Sequence, residues 1–144
     1  MPQRPISQII GKQRILTVAP EITVDQAAKQ MKEVGLGTVM VVENGLLIGI
    51  FTERDVLYRI VAERRDPQTT TLSEVMTRNP QTISPGKPFG HALHMMFEGG
   101  FRHVPVVEKG KPVGMISARD ALGPELVEFE SEMADRDHVA ESLG

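Results

Sequence analysis

Two short stretches of this chain carry residue types that can hold an anion or a sugar. Gly49-Ile50-Phe51-Thr52-Glu53-Arg54-Asp55 and Gly114-Met115-Ile116-Ser117-Ala118-Arg119-Asp120 share the pattern Gly-x-x-Thr/Ser-x-Arg-Asp. In each, a hydroxyl stands three residues before a carboxylate, where an apolar run gives way to a polar one. Thr/Ser-x-x-Asp is close to a helix capping box, which needs no ligand. The same spacing also suits binding. A hydroxyl at a helix start can serve a phosphate, because free N–H groups face outward there. A carboxylate at the same place can accept both hydroxyls of a ribose. A glycine near a strand end lets another group approach the backbone. On the residues alone, both readings stay open.

The two stretches belong to a longer repeat. Shifted by 65 residues, Thr17–Leu57 lies on Thr82–Leu122 without a gap, and 15 of the 41 positions are identical. A repeat of this size usually means one supersecondary unit used more than once. Each half has about 60 residues, a size that buries too little surface for comfortable stability alone, so the halves are expected to share one core.

In repeat one, Thr17-Val18 reads as a short strand and Thr23 caps a helix, with Gln26 completing a capping box. Ala27, Ala28, Met31 and Val34 give that helix an apolar face, and Gly35 ends it. Thr38–Glu43 and Leu46–Thr52 read as a hairpin turning at Asn44-Gly45. A second helix is expected from about Glu53 to Arg64. Repeat two follows the same order, with Phe89, Leu93 and Met96 on its first helix, Gly99-Gly100 ending it, and a hairpin of Val104–Glu108 and Lys111–Ser117. The unit is β-α-β-β-α, twice. A lead-in helix precedes it, with Ser7 as a candidate cap for Ile6, Ile9 and Ile10, and Ser73-Glu74-Val75-Met76 repeats that device. The expected organisation is repeat one with its lead-in over 6–64, a polar linker over 65–72, repeat two over 73–123, and an acidic segment over 124–144. There Leu126, Phe129 and Met133 are spaced for one more amphipathic helix.

Composition narrows the function classes. The chain has 144 residues, 40% hydrophobic and 24% charged, as in ordinary globular proteins. It has no cysteine, which excludes disulfides, thiolate chemistry and Cys-based zinc sites. No apolar stretch reaches the length of a membrane span, and Met1-Pro2-Gln3-Arg4-Pro5 lacks the apolar run of a signal peptide, so a cytoplasmic protein is expected. A net charge of −3 argues against nucleic acid as the main partner.

Two β-α-β-β-α repeats, each closing on Gly-hydrophobic-x-Thr/Ser-x-x-Asp, with Val-Pro-Val-Val and a glycine turn ahead of the second, resemble a tandem pair of CBS domains (a Bateman module). The resemblance covers residues 6 to about 123. It implies an α+β fold of two pseudo-symmetric CBS repeats forming one compact module, and a disc-like homodimer. No partner domain is visible, so the chain looks like a stand-alone bacterial-type pair. The implied function is non-catalytic: an adenine nucleotide, AMP first, bound in the cleft between the repeats and transmitted as a change in the dimer.

Carried onto this sequence, the resemblance gives Asp55 and Asp120 the ribose hydroxyls. Thr52 and Ser117 sit by ribose and phosphate, with Arg54 and Arg119 beside them, and Ile50 and Met115 touch the base. The start of the hairpin strand in the facing repeat supplies backbone and apolar contacts to adenine: Gly37, Thr38 and Val39, with Leu16 from the lead strand, for the Asp120 site, and Arg102, His103 and Val104, with Gln81, for the Asp55 site. Arg102-His103 matches a basic pair that some family members use to hold phosphates, and two adjacent cations suit an anion. The matching positions in repeat one, Gly37-Thr38, are uncharged, so one strong and one weaker site are expected, and Gly37 leaves room for a larger ligand.

ADP, ATP, NAD, NADH and S-adenosylmethionine share the adenosine that the motif reads, and ATP or NAD(H) is the alternative ligand. A ligand-free interaction scaffold, with both aspartates acting purely as caps, is the competing reading. His91 and His94 are three apart, a spacing that can hold a metal, but no third ligand is placed with them, so they read as surface histidines. Met95 and Met96 read as core filling. The sequence displays no nucleophile with base and orienting group, and no phosphate loop of the Gly-Lys-Thr/Ser kind.

Overall fold

The computed structural model describes residues 4–122 and Ala134. The elements run in the order α1 Ile6–Ile10, β1 Thr17–Val18, α2 Val24–Val34, β2 Thr38–Glu43, β3 Leu46–Thr52, α3 Glu53–Asp55, a π-helical segment Val56–Val61, α4 Leu72–Val75, β4 Thr77–Arg78, α5 Phe89–Gly99, β5 His103–Glu108, β6 Lys111–Ser117 and a 3-10 turn Ala118–Leu122. The proposed helix over 124–144 lies outside the described residues.

Local chemistry sets these boundaries. Thr23 Oγ1 accepts from the Gln26 N–H at 3.2 Å, and the Thr23 N–H donates to Gln26 Oε1 at 3.0 Å, so α2 starts with a complete capping box. Gly35 and Gly100 both end their helices at φ 72°, a conformation that costs glycine little. The hairpins turn at Asn44-Gly45 and Lys109-Gly110, all four residues at positive φ. Both hairpins carry a register shift at matching places, Val41/Val42 and Val106/Val107. The lead-in differs from expectation: α1 begins after Pro5 with no side-chain cap, and Ser7 lies inside the helix. α4 is capped not by Ser73 but by Thr71, whose N–H donates to Glu74 Oε2 at 2.7 Å. The helix expected over Glu53 to Arg64 is one α-turn followed by π-helical backbone to Val61.

β1 pairs parallel with β2, and β2–β3–β4 continue antiparallel. β5 and β6 form the second sheet, with a single bridge from Ile83 to Val106 in place of a lead strand. Two apolar clusters result, not one core. Phe51, Val39, Val41, Val24, Ala27 and Met31 of repeat one pack with Leu72, Val75 and Met76 from the lead-in of repeat two. Phe89, Ala92, Met96, Val104, Val106 and Ile116 of repeat two pack with Ile6 and Ile10 from the lead-in of repeat one. The lead-ins are therefore exchanged. Each small half closes its core with a helix borrowed from the other, which meets the size problem without merging the cores.

The exchange explains the motif glycines. A Cβ at Gly49 would lie 2.5 Å from Met76 Sδ, and one at Gly114 would lie 2.6 Å from Ile10 Cγ2. The group that approaches the backbone is the borrowed lead-in. The two sides also mirror each other in hydrogen bonding. β4 pairs Thr77 with Ile50 through the backbone. Opposite, the Gln13 side chain does the same work: Nε2 donates to the Met115 carbonyl at 2.7 Å, and Oε1 accepts the Met115 N–H at 2.8 Å.

The stretch read as a linker is packed. Val24 N–H donates to the Thr70 carbonyl and Asp25 N–H to the Pro67 carbonyl, both at 2.9 Å, while Leu72 is fully buried.

Candidate functional site

Two clefts lie between the repeats, one beside each motif aspartate. The Asp120 cleft encloses about 420 Å³ and is lined by Leu16, Gly37, Thr38, Met115, Ser117, Arg119 and Asp120, as the sequence suggests. The Asp55 cleft encloses about 620 Å³ and is lined by Ile50, Thr52, Arg54, Asp55, Gln81, Arg102 and His103. Both volumes are of the size that holds a small organic ligand.

The side chains of two expected residues are not in the walls. Val39 and Val104 are 0% exposed and belong to the two cores. Strand alternation turns their side chains inward while Thr38 and His103 next to them face the clefts. A third expectation changes as well. Arg102 and His103 line both clefts and do not belong to the Asp55 cleft alone. Glu53, passed over in the sequence, also lines both. Gln13, Arg14, Met40 and Ala118 add to the Asp120 wall, and Thr77, Asn79, Pro80 and Phe101 to the Asp55 wall. For most of these the sequence carries no signal, because loops and the exchanged lead-in deliver them. Glu53 did stand in a motif, and its pairing with Ala118 marked a charge present in one copy only.

Each aspartate caps its own turn. Asp55 Oδ2 accepts from the Thr52 N–H at 2.9 Å and from Thr52 Oγ1 at 3.1 Å, and Thr52 Oγ1 accepts the Asp55 N–H at 3.2 Å. Asp120 Oδ2 accepts from the Ser117 N–H at 2.7 Å and from Ser117 Oγ at 3.4 Å. Arg4 fixes the Asp120 backbone by donating to its carbonyl at 2.8 Å. The other carboxylate oxygens differ. Asp55 Oδ1 faces Arg59 Nε at 3.5 Å, while among the described residues no donor meets Asp120 Oδ1. The neighbouring arginines differ likewise. Arg54 stacks over the Tyr58 ring at 5.3 Å, whereas Arg119 has no hydrogen bond, ion pair or ring contact among the described residues.

His103 is half-buried, and burial pushes its imidazole below the ordinary value. The carboxylates of Glu53, Asp120 and Asp55 oppose that shift and the Arg102 guanidinium adds to it. The ring is therefore mainly neutral near pH 7, one nitrogen donating and one accepting. His91 and His94 are exposed on α5, and no group of three potential metal ligands is found among the described residues.

Paired repeats with exchanged lead-ins, and an aspartate-bearing cleft on either side of their junction, define a two-lobed module built from one repeated unit. The family model of the CBS domain matches residues 6–62 and 72–123, and the chain belongs to that family as a tandem pair. A CBS domain-containing protein of Arabidopsis thaliana is 42% identical over 96 residues, which is 67% of this chain and 18% of that protein. The chain thus spans about a fifth of the length of that relative. A solved protein with CBS domains from Burkholderia ambifaria superposes with a TM-score of 0.78 at 30% identity, covering 86% of this chain and 95% of that one. A CBS domain protein from Pyrobaculum aerophilum, complexed with AMP, shares the fold with a TM-score of 0.76 at 24% identity, covering 88% and 97%. No helix among the described residues is long and apolar enough to cross a membrane.

Proposed function

We infer that this CBS pair is a non-catalytic sensor that binds an adenine nucleotide, AMP first, in the Asp120 cleft. One observation carries the reading. Asp120 is held in place by Ser117 and Arg4 yet keeps an oxygen with no donor among the described residues, in a cleft that also holds Arg119, Arg102 and His103. That oxygen suits ribose hydroxyls, the two guanidiniums suit a phosphate, and the neutral imidazole can donate one further hydrogen bond to it. Met115 and Leu16 supply apolar contact for the base. The Pyrobaculum pair, of the same fold, holds AMP.

Thermal-shift titration with AMP, ADP, ATP, NAD, NADH and S-adenosylmethionine, with GMP as control, tests this. Ligand at about 100 times its dissociation constant adds roughly 2.7 kcal/mol to the folded state. A dose-dependent rise with an adenine ligand supports the sensor. No shift from nucleotide-free protein returns the aspartates to plain helix caps. Steady-state turnover of ATP or NAD would overturn the non-catalytic role.

The signal passes through a homodimer. Leu57, Tyr58 and Val61 on the π-helical segment are each more than half exposed, and Phe97 on α5 is 88% exposed. Side chains of this size are costly to leave in water, and a second copy of the chain would cover them. Light scattering of Phe97→Asp with Leu57→Asp is expected to show monomers where the parent is a dimer.

A further inference from the structure

The two clefts share a wall: Glu53, Arg102 and His103 line both. The backbone framework of that wall is symmetric. Glu53 N–H donates to the Gly37 carbonyl at 2.9 Å, and Ala118 N–H donates to the Arg102 carbonyl at 3.0 Å. The side chains are not. Repeat one places glycine and glutamate where repeat two, 65 residues on, places arginine and alanine. The Glu53 carboxylate takes the space that a side chain at 37 would fill, since a Cβ there would lie 2.9 Å from its Cδ and Oε1. Repeat one thus contributes the wall's anion and repeat two its cation. Among the described residues no hydrogen bond or ion pair engages the Arg102 guanidinium, so it is available to a ligand on either side. The charges of Glu53, Asp120, Asp55 and Arg102 all act on His103.

We propose that this wall makes the two clefts compete for anionic nucleotides, the first phosphate engaging Arg102 and His103 and the second meeting Glu53 without them. The proposal rests on the nucleotide reading above and adds to it a coupling between sites. The first nucleotide enters the Asp120 cleft, where Arg119 has no partner among the described residues. The Asp55 cleft then has only Arg54, which is stacked on Tyr58, to set against Glu53 and the phosphate across the wall. Such coupling is reciprocal, of about tenfold here, within the usual span for coupled sites. Being electrostatic across a solvent-open wall, it shrinks as salt rises.

Calorimetric titration of the full chain with AMP, at low and high salt, tests it. The parent is expected to bind in two steps. The second should be about tenfold weaker than the Asp55 cleft measured alone in Asp120→Ala, and the gap should narrow at high salt. Glu53→Gln, at an exposed side chain, should strengthen the second step, and Arg102→Gln should weaken the first and bring the two together. Circular dichroism checks that each variant is folded, and Glu53→Gln keeps the test decisive if Asp120→Ala is not. A parent isotherm equal to the sum of the Asp55→Ala and Asp120→Ala isotherms at both salts overturns the competition and leaves the nucleotide reading intact. So does an Asp120→Ala chain that binds no AMP while the parent binds one. No binding of AMP or of any other adenine nucleotide overturns both.

Discussion

The Asp55 and Asp120 clefts come from the same motif, yet their polar groups stand in different states. In the Asp55 cleft the chain supplies its own partners: Arg59 to the carboxylate and Tyr58 to Arg54. Both come from the π-helical segment that follows the motif. In repeat two the positions 65 residues on are Pro124 and Gly123, which can copy neither contact. Among the described residues nothing engages Asp120 Oδ1 or the Arg119 guanidinium. A repeat therefore preserves backbone geometry more faithfully than the pairing of its polar groups, because residues beyond the motif can satisfy a group that its copy leaves open.

The comparison can be broken in several ways. The largest effect is expected from Asp120→Ala. Losing a hydrogen-bond acceptor of full charge costs about 1.5–3 kcal/mol, so AMP affinity should fall roughly 10- to 100-fold by calorimetry. The melting point should fall less, as lost capping costs about 1 kcal/mol. Equal AMP affinity in variant and parent would remove the ribose role.

Next come Gly114→Ala and Gly49→Ala, which set the lead-in role of the glycines against a ligand role. Overpacking against Ile10 or Met76 should cost about 1–3 kcal/mol in urea unfolding, with AMP affinity kept in whatever protein folds. Loss of binding without loss of stability would restore the ligand role.

Asp55→Ala sharpens the contrast from the other side. It removes a complete capping box and the Arg59 partner, so about 1–2 kcal/mol of stability should go, while AMP binding falls less than in Asp120→Ala. The reverse order would make the Asp55 cleft the main site.

The smallest effect is that of pH. His103 has a lowered folded-state value, so below about 6.5, the ordinary imidazole value, the unfolded chain takes up a proton that the folded chain refuses. Stability present above that pH is lost as pH falls through it toward the folded value. Melting curves of His103→Gln should show a flatter acid limb than the parent. An identical limb would mean that His103 titrates alike in both states.

Much of this was legible in the sequence. The 65-residue repeat, the Thr23-Gln26 box, the two glycine caps and both hairpins rest on contacts between near neighbours in the chain, and near neighbours leave local patterns. The cleft residues in the motifs, Thr52, Asp55, Ser117 and Asp120, were legible for the same reason. The Val39 and Val104 side chains turn into the cores, because a strand shows the alternation of its faces but not which face meets the cleft. Gln13 and Arg14 were missed because they reach the Asp120 cleft through the exchanged lead-in, about 100 residues from the motif they serve. Arg102 and His103 were assigned to one cleft, although a residue on the wall between two clefts lines both.

By itself the sequence determined the repeat, both hairpins, the capping box of α2 and the glycines that end α2 and α5, because these depend on φ preferences, short-range hydrogen bonds and apolar spacing within one stretch of chain. Only the tertiary structure decided that the lead-ins cross over, that Gly49 and Gly114 make room for Met76 and Ile10, and that Glu53 and Arg102 face the same two clefts. The physical reason is the same for all three. Each depends on surfaces brought together across the pseudo-symmetric junction, where shape and charge are settled by pairs of residues that the chain keeps far apart.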